Sequence, residues 1–262
     1  MTRDKNKNRG FNQAEAAAQN RRCSPGPLNG KRMTANGIKS IALELGADIC
    51  GIAPIERFSA APKGFHPKDI FSDCQSVFVF AKKLPAGSLF ASSCIPYTYI
   101  NRVITDEVDR LTLELSRKLD FLAVKNVPIP SDDPSEYWEP ERTYAQAILS
   151  LRHAGQLAGL GVIGKNTLLI NDRMGNMIQI GALLLNLKLK GDPVANYKAC
   201  QEDCQLCLQS CPQSALDGIT VNQQACRPLS TYINERGFIL KKCWECRKVC
   251  PCHSGIMNTS DK

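Results

Sequence analysis

The chain has 262 residues, of which 43% are hydrophobic and 22% charged, with thirteen cysteines and a formal net charge of +8. That length accommodates one full domain and a smaller one, and no apolar run approaches the ~18 residues of a membrane-crossing helix; the longest candidates, such as Ile180–Leu187, are strand-length. Residues 1–32 hold eight Lys/Arg and two acids, a net of +6, so residues 33–262 carry only +2 and argue against a nucleic-acid-binding body.

Taken in chain order, residues 1–32 are rich in Asn, Arg, Ala and Gly and predict either a disordered tail or an extension ahead of a start at Met33. Arg21-Arg22 is followed by Cys23-Ser-Pro-Gly-Pro rather than an apolar stretch, so it does not read as an export signal. A cytoplasmic location is expected. Residues 34–46 (Ile38, Ile41, Ala42, Leu45) predict an amphipathic helix stopped by Gly46. Asp48–Ile55 and Ser76–Ala81 predict strands. Asn101–Lys125, with Ile104, Val108, Leu111, Leu115, Leu119 and Leu122 at steps of three and four, predicts a long helix. Val127–Pro130 reads as a short strand, Asp132–Arg142 as a polar acidic loop and Tyr144–Ala158 as a helix. Thr167–Ile170 and Met177–Leu189 read as strands of a hairpin around Asn171–Asn176. The alternation predicts a layered α/β domain over residues 33–192. A smaller cysteine-rich domain, 193–262, follows Gly191-Asp192-Pro193. The chain ends twelve residues beyond Cys250, and no further domain is expected.

Gly159, Gly161 and Gly164 in Gly159-Leu-Gly-Val-Ile-Gly-Lys-Asn-Thr167 satisfy G-x-G-x-x-G and nearly satisfy a phosphate-binding loop. Both of those sites need a strand before the glycines and a helix after them. Here the predicted order is reversed, so neither a dinucleotide nor ATP is expected. The block reads either as a tight helix-to-strand turn or as backbone bordering a large flat ligand, with Lys165 at its polar periphery.

Eight of the thirteen cysteines fall between Cys200 and Cys250. Cys204-x2-Cys207-x3-Cys211-Pro212 is repeated 39 residues later as Cys243-x2-Cys246-x3-Cys250-Pro251. Closely spaced cysteines wrap one [4Fe–4S] cube, and the cysteine before the proline points to the other cluster. The partition is then Cys200, Cys204, Cys207 and Cys250 for one cluster, and Cys211, Cys226, Cys243 and Cys246 for the second. A zinc ribbon also pairs C-x2-C but does not call for a third cysteine before proline, twice. A disulfide scaffold suits small secreted domains. Cys200-x3-Cys204 is one residue longer than the usual opening. Cys23, Cys50, Cys74, Cys94 and Cys252 read as buried or incidental thiols. Of three histidines, His153 is a candidate proton donor; Tyr144 and Glu141 are the others.

Leu45-Gly-Ala-Asp-Ile-Cys-Gly-Ile-Ala-Pro-Ile-Glu-Arg57, Ala158-Gly-Leu-Gly-Val-Ile-Gly-Lys-Asn-Thr-Leu-Leu-Ile170 and the double cysteine run together resemble epoxyqueuosine reductases and their relatives, over Met33 to about Pro251. The resemblance implies a nitroreductase-like α/β (α+β layered) domain binding base-off cobalamin, followed by a small ferredoxin-like two-cluster module, a design shared with reductive dehalogenases. It implies that electrons pass from a low-potential donor, ferredoxin or flavodoxin, through clusters near about −400 mV to cobalt. Gly159, Gly161, Gly164 and Lys165 would border that cofactor. Two departures bear on substrate. The family's D-x-x-P-x-x-E pattern, whose Asp is its proton donor, falls here on Ala145, Ile148 and Leu151, and the C-terminal helical repeats have no counterpart. The resemblance therefore points to a short branch acting on a small molecule, with tRNA disfavoured. An electron carrier or reductive activator for a partner protein, a tRNA reductase, and a flavin in place of the corrinoid stay open as alternatives.

Overall fold

The structure is a computed structural model and describes residues 33–141 and 144–256. The readings made for residues 1–32, including Cys23 and Arg21-Arg22, lie outside the described residues. The described residues form one compact unit.

Its centre is an antiparallel sheet in the order β1-β2-β8-β3, made by Ile49–Pro54 (β1), Ser76–Lys83 (β2), Ile178–Leu185 (β8) and Asn126–Ile129 (β3). The register sets Val79 of β2 between Gly51 of β1 and Ala182 of β8. β2 reads Ser-Val-Phe-Val-Phe-Ala-Lys-Lys, and its first six residues are all buried. Alternation along the strand divides them between two cores. Phe78 and Phe80 face helices Ala35–Glu44 (α1) and Cys94–Phe121 (α3), packing with Ile38, Val108, Leu115 and Leu119. Val77, Val79 and Ala81 face the other way, toward helix Leu151–Leu157 (α4), packing with Ala154, Ala158, Leu160 and Leu169. Each large side chain so buried contributes about 1.5–3 kcal/mol. Gly181 of β8 lets α3 approach: a Cβ there would lie 2.4 Å from Phe80 Cζ and 2.8 Å from Val108 Cγ1.

α1 begins where Thr34 Oγ1 accepts the Gly37 N–H at 3.2 Å and ends before Gly46, φ +100°. α3 begins seven residues before the predicted start, because Ser93 caps it and accepts the Ile95 N–H at 3.2 Å. A four-residue helix, Pro67–Ile70 (α2), joins β1 to β2.

Two elements differ from expectation. Tyr144–Ala158 is not one helix. Tyr144–Gln146 is a strand (β5) paired with Tyr137–Glu139 (β4), and α4 starts only at Leu151. Tertiary contact overrides local propensity there: Gln223 receives the Ala145 N–H at 3.1 Å and donates to the Ala145 carbonyl at 2.9 Å. Nor do the two strands after the glycine block form a hairpin with each other. Leu169–Ile170 (β7) pairs back with Val162–Ile163 (β6), while β8 enters the main sheet between β2 and β3. The bridge between Asn171 and Gly175 closes the turn that separates them.

The cysteine-rich segment consists of short elements: Leu206–Gln209 (α5), Gln223–Ser230 (α6), Tyr232–Ile233 (β9), Ile239–Leu240 (β10) and Glu245–Lys248 (α7). It is pinned to the sheet-bearing part. Trp244 Nε1 donates to the Leu89 carbonyl at 3.0 Å and its ring lies 5.3 Å from that of Tyr97. Arg247 donates to the Asn176 carbonyl. Among the described residues no helix is long and apolar enough to cross a membrane.

Candidate functional site

Every cysteine among the described residues is free. Cys200, Cys204, Cys207 and Cys250 line one cavity of about 400 Å³, together with Cys252, Lys165 and Asn166. Burial pushes the Cys250 thiol up to about 11; the Cys252 N–H opposes this, and the charges of Cys252, Cys200 and Cys207 beside it add to it. Cys211, Cys226, Cys243 and Cys246 form a second neighbourhood. Burial pushes the Cys246 thiol up to about 11, Arg247 opposes, and Cys243, Cys226 and Cys211 raise it further. Backbone N–H groups already point at sulfur in both sets: Lys165 N–H to Cys200 Sγ at 3.4 Å, and Ala215 N–H to Cys211 Sγ at 3.3 Å. Among the described residues no three His, Cys, Asp or Glu close around a point as a single ion would need.

The glycine block holds these two neighbourhoods. Lys165 Nζ donates to the carbonyls of Gln201 at 3.3 Å, Glu202 at 2.7 Å and Cys204 at 2.9 Å, closing the loop that carries Cys200 and Cys204. The next residue, Asn166, is buried and donates to the Cys246 carbonyl at 3.0 Å. One residue thus grips the first cysteine run and its neighbour grips the second. The glycines permit the approach. A Cβ on Gly164 would sit 3.4 Å from Cys200 Sγ, and one on Gly161 would sit 2.4 Å from the Ile170 carbonyl oxygen. Gly159, φ +82°, would meet the Pro193 carbonyl oxygen at 2.1 Å, so Asp192 and Pro193 are laid directly on this turn.

The three candidate proton donors lie apart from the first cavity. Tyr144 is in β5, opposite Glu139. The Glu141 carbonyl accepts from Gln224 Nε2 of α6 at 3.1 Å. His153 Nδ1 is 2.7 Å from Ser150 Oγ, and burial, aided by the Arg152 guanidinium, holds the ring below the usual histidine pKa. A second cavity, of about 510 Å³, opens between α3, residues 132–135 and α6; it is lined by Asn101, Arg102, Asp109, Asp132, Arg227 and the candidate ligand Cys226, among others.

Of the remaining thiols, burial pushes those of Cys50 and Cys74 up to about 11, as inert core cysteines require. Cys252 differs from its reading as incidental, because it lines the first cavity. Its position two residues past Cys250 was the available sign. The grips of Lys165 and Asn166 on cysteine-loop carbonyls had no sign in the spacing.

The sequence is 33% identical over 125 residues to a curated epoxyqueuosine reductase of Staphylococcus aureus (strain NCTC 8325 / PS 47), an alignment covering 44% of this chain and 32% of that relative. The chain is similar to epoxyqueuosine reductases. The match spans about a third of their length. An epoxyqueuosine reductase solved with an epoxyqueuosine-modified tRNA-Tyr stem loop superposes with a TM-score of 0.55 at 17% identity, over 83% of this chain and 64% of that one. A reductive dehalogenase, whose structure suggests a mechanism for B12-dependent dehalogenation, superposes at 0.56 and 16% identity, over 86% and 33%. These likenesses establish a mixed α/β fold shared with both groups. No family model matches the chain.

Proposed function

We propose that the chain is an oxidoreductase carrying two [4Fe–4S] clusters on a ferredoxin-type segment, residues 193–262. They pass low-potential electrons to a corrinoid on residues 33–192, and a small molecule is reduced there. The observation that carries this reading is the gathering of eight cysteines, six of them paired by the 39-residue repeat, into two thiol neighbourhoods gripped by adjacent residues, Lys165 and Asn166. The donor set fits cubanes. It is all thiol, and backbone N–H groups face the sulfurs.

Cys200, Cys204, Cys207 and Cys250 would hold the first cluster, and Cys211, Cys226, Cys243 and Cys246 the second. The cavity beside Cys226, walled by residues 98–135 and by residues 221–241, is the bay we assign to the corrinoid, with a flavin as the alternative occupant; Gly159, Gly161, Gly164 and Lys165, which the sequence reading set beside the cofactor, do not line it. Its rim mixes amides and hydroxyls, from Asn101, Gln223 and Thr98, with charges from Arg102, Asp132 and Arg227, and offers hydrogen-bond partners to the polar periphery of such a ligand. When bound, the cofactor supplies a strongly reducing centre, and the protein supplies position and protons. Asp132 lines the same bay and offers the acid missing at Ala145, while Tyr144 lies beside Ala145, which Gln223 tethers to α6. His153 lines neither cavity, and its lowered pKa leaves it neutral near pH 7. A ferredoxin or flavodoxin in the cytoplasm would be the donor.

The test is iron analysis and EPR of anaerobically reconstituted protein mixed with cob(II)alamin. About eight irons per chain, as two cubanes require, and a change to a base-off cobalt signal are expected. Stoichiometric zinc with no iron would end the cluster reading. Intact clusters beside an unchanged cobalamin spectrum would leave an electron carrier or a flavin enzyme. The names of the curated relatives favour tRNA as a second reading of the substrate, and the near-neutral charge of residues 33–262 weighs against it. Restoration of queuosine in a strain lacking the reductase would decide for tRNA.

A further inference from the structure

Five thiols, not four, face the first cavity. Cys252 lines it beside Cys200, Cys204, Cys207 and Cys250, yet a cubane has one iron for each of four thiolates. The position of Cys252 is set by backbone packing. Gly175, φ +65°, lies so close beneath it that a Cβ would fall 2.2 Å from the Cys252 carbonyl oxygen and 2.3 Å from the His253 carbonyl carbon. The His253 N–H donates to the Cys250 carbonyl at 2.9 Å, closing the turn, and the Ile256 N–H donates to the Asp172 carbonyl at 2.6 Å. So clamped, the Cys252 thiol donates to the Ala199 carbonyl at 3.3 Å. That carbonyl belongs to the residue immediately before Cys200, so Cys252 and Cys200 reach the same corner of the cavity. Cys200 is also the ligand whose spacing is irregular, three residues rather than two before its partner.

We propose that Cys252 is an alternative fourth ligand of the first cluster, able to hold the iron otherwise bound by Cys200. The exchange breaks one iron–sulfur bond and forms another. The proton of the Cys252 thiol passes to the released Cys200 thiolate, and no electron is gained or lost. The inference rests on the reading of this cavity as a cubane site.

The test compares wild type, Cys200→Ala, Cys252→Ala and the double variant, each reconstituted anaerobically and freed of added thiol. Iron, acid-labile sulfide and EPR are measured in the oxidised and reduced states. Wild type and both single variants are expected to keep about eight irons. The double variant is expected to lose about one iron and to show the oxidised three-iron signal, with the second cluster's reduced signal unchanged as the control for folding. The proposal is overturned if Cys200→Ala alone loses as much iron as the double variant, or if Cys252→Ala alone does so. A wild type without iron would instead overturn the cubane reading itself.

Discussion

Lys165 has three N–H donors and spends all of them on one loop, at the carbonyls of Gln201, Glu202 and Cys204. Hydrogen bonds from a charged donor are each worth about 1.5–3 kcal/mol, so losing the set outweighs the flexibility the loop regains. Lys165→Met should therefore loosen the Cys200–Cys204 loop and, if a cluster occupies the first thiol neighbourhood as proposed, that cluster should yield its iron to a chelator several-fold faster than wild type. It also removes a positive charge from beside the cluster. Reduction adds negative charge there, so the midpoint potential of the first cluster should become more negative in a redox titration followed by EPR, with the second cluster moving less. Lys165→Arg keeps the charge and should leave the potential near that of wild type, but it should not restore iron retention, because a planar fork cannot meet three carbonyls arranged around one ammonium. A potential unchanged by Lys165→Met would show that the lysine only shapes the loop.

At the scale of elements, the stretch from α4 through β6 and β7 is a joint. Gly159 is its narrowest point, with a left-handed φ and the Pro193 carbonyl in the space a Cβ would take. Gly159→Ala incurs both the backbone strain and the clash, together at least about 1–3 kcal/mol. In a unit of this size that lowers the melting temperature by several degrees, at about 2–4 °C per kcal/mol. A calorimetric scan that matched wild type would mean that Asp192 and Pro193 are not seated on this turn. The order of elements around the glycines was legible in sequence, because the apolar stripe before them is helical and the residues after them are β-branched or leucine. That order argued against a nucleotide loop, and helix α4 does precede strand β6. What could not be read was partner choice. β8 is an apolar run suited to either neighbour, and only the assembled sheet gives it β2 and β3 rather than β7. The strand at Tyr144–Gln146 was equally hidden, since Gln223, 78 residues away from Ala145, helps to hold it. The cysteine spacing suggested a grouping of the thiols but gave no sign that Lys165, Asn166 and Cys252 stand among them.

Across the whole compact unit, stability is unevenly distributed. The sheet has two buried faces, with Phe78, Leu115, Ile52 and Leu183 on one side and Val79, Ala154 and Leu184 on the other. The cysteine-rich segment has helices of four, eight and four residues, one of them containing Pro228, and two-residue strands. Helices so short do not persist alone. Few residues of this segment are buried: Cys207, Ala215 and Cys250 are the apolar ones among the described residues. If clusters occupy the two thiol neighbourhoods, much of this segment's folding free energy comes from metal binding, as in other small metal-held domains. Hydrogen exchange should then divide the molecule. After chelation under anaerobic, reducing conditions, amides of β2 and β8 should keep their protection, while those of residues 199–256 should exchange at least tenfold faster than in reconstituted protein. Trp244 reports the same boundary, because its ring packs at a tilt against Tyr97 and its Nε1 donates to the Leu89 carbonyl; its fluorescence should shift to the red on iron loss. Equal protection of residues 199–256 with and without iron would show that the contacts of Asn166, Asn176, Trp244 and Arg247 hold the segment in place unaided. The two thiol neighbourhoods would then be preorganised for their clusters rather than assembled by them.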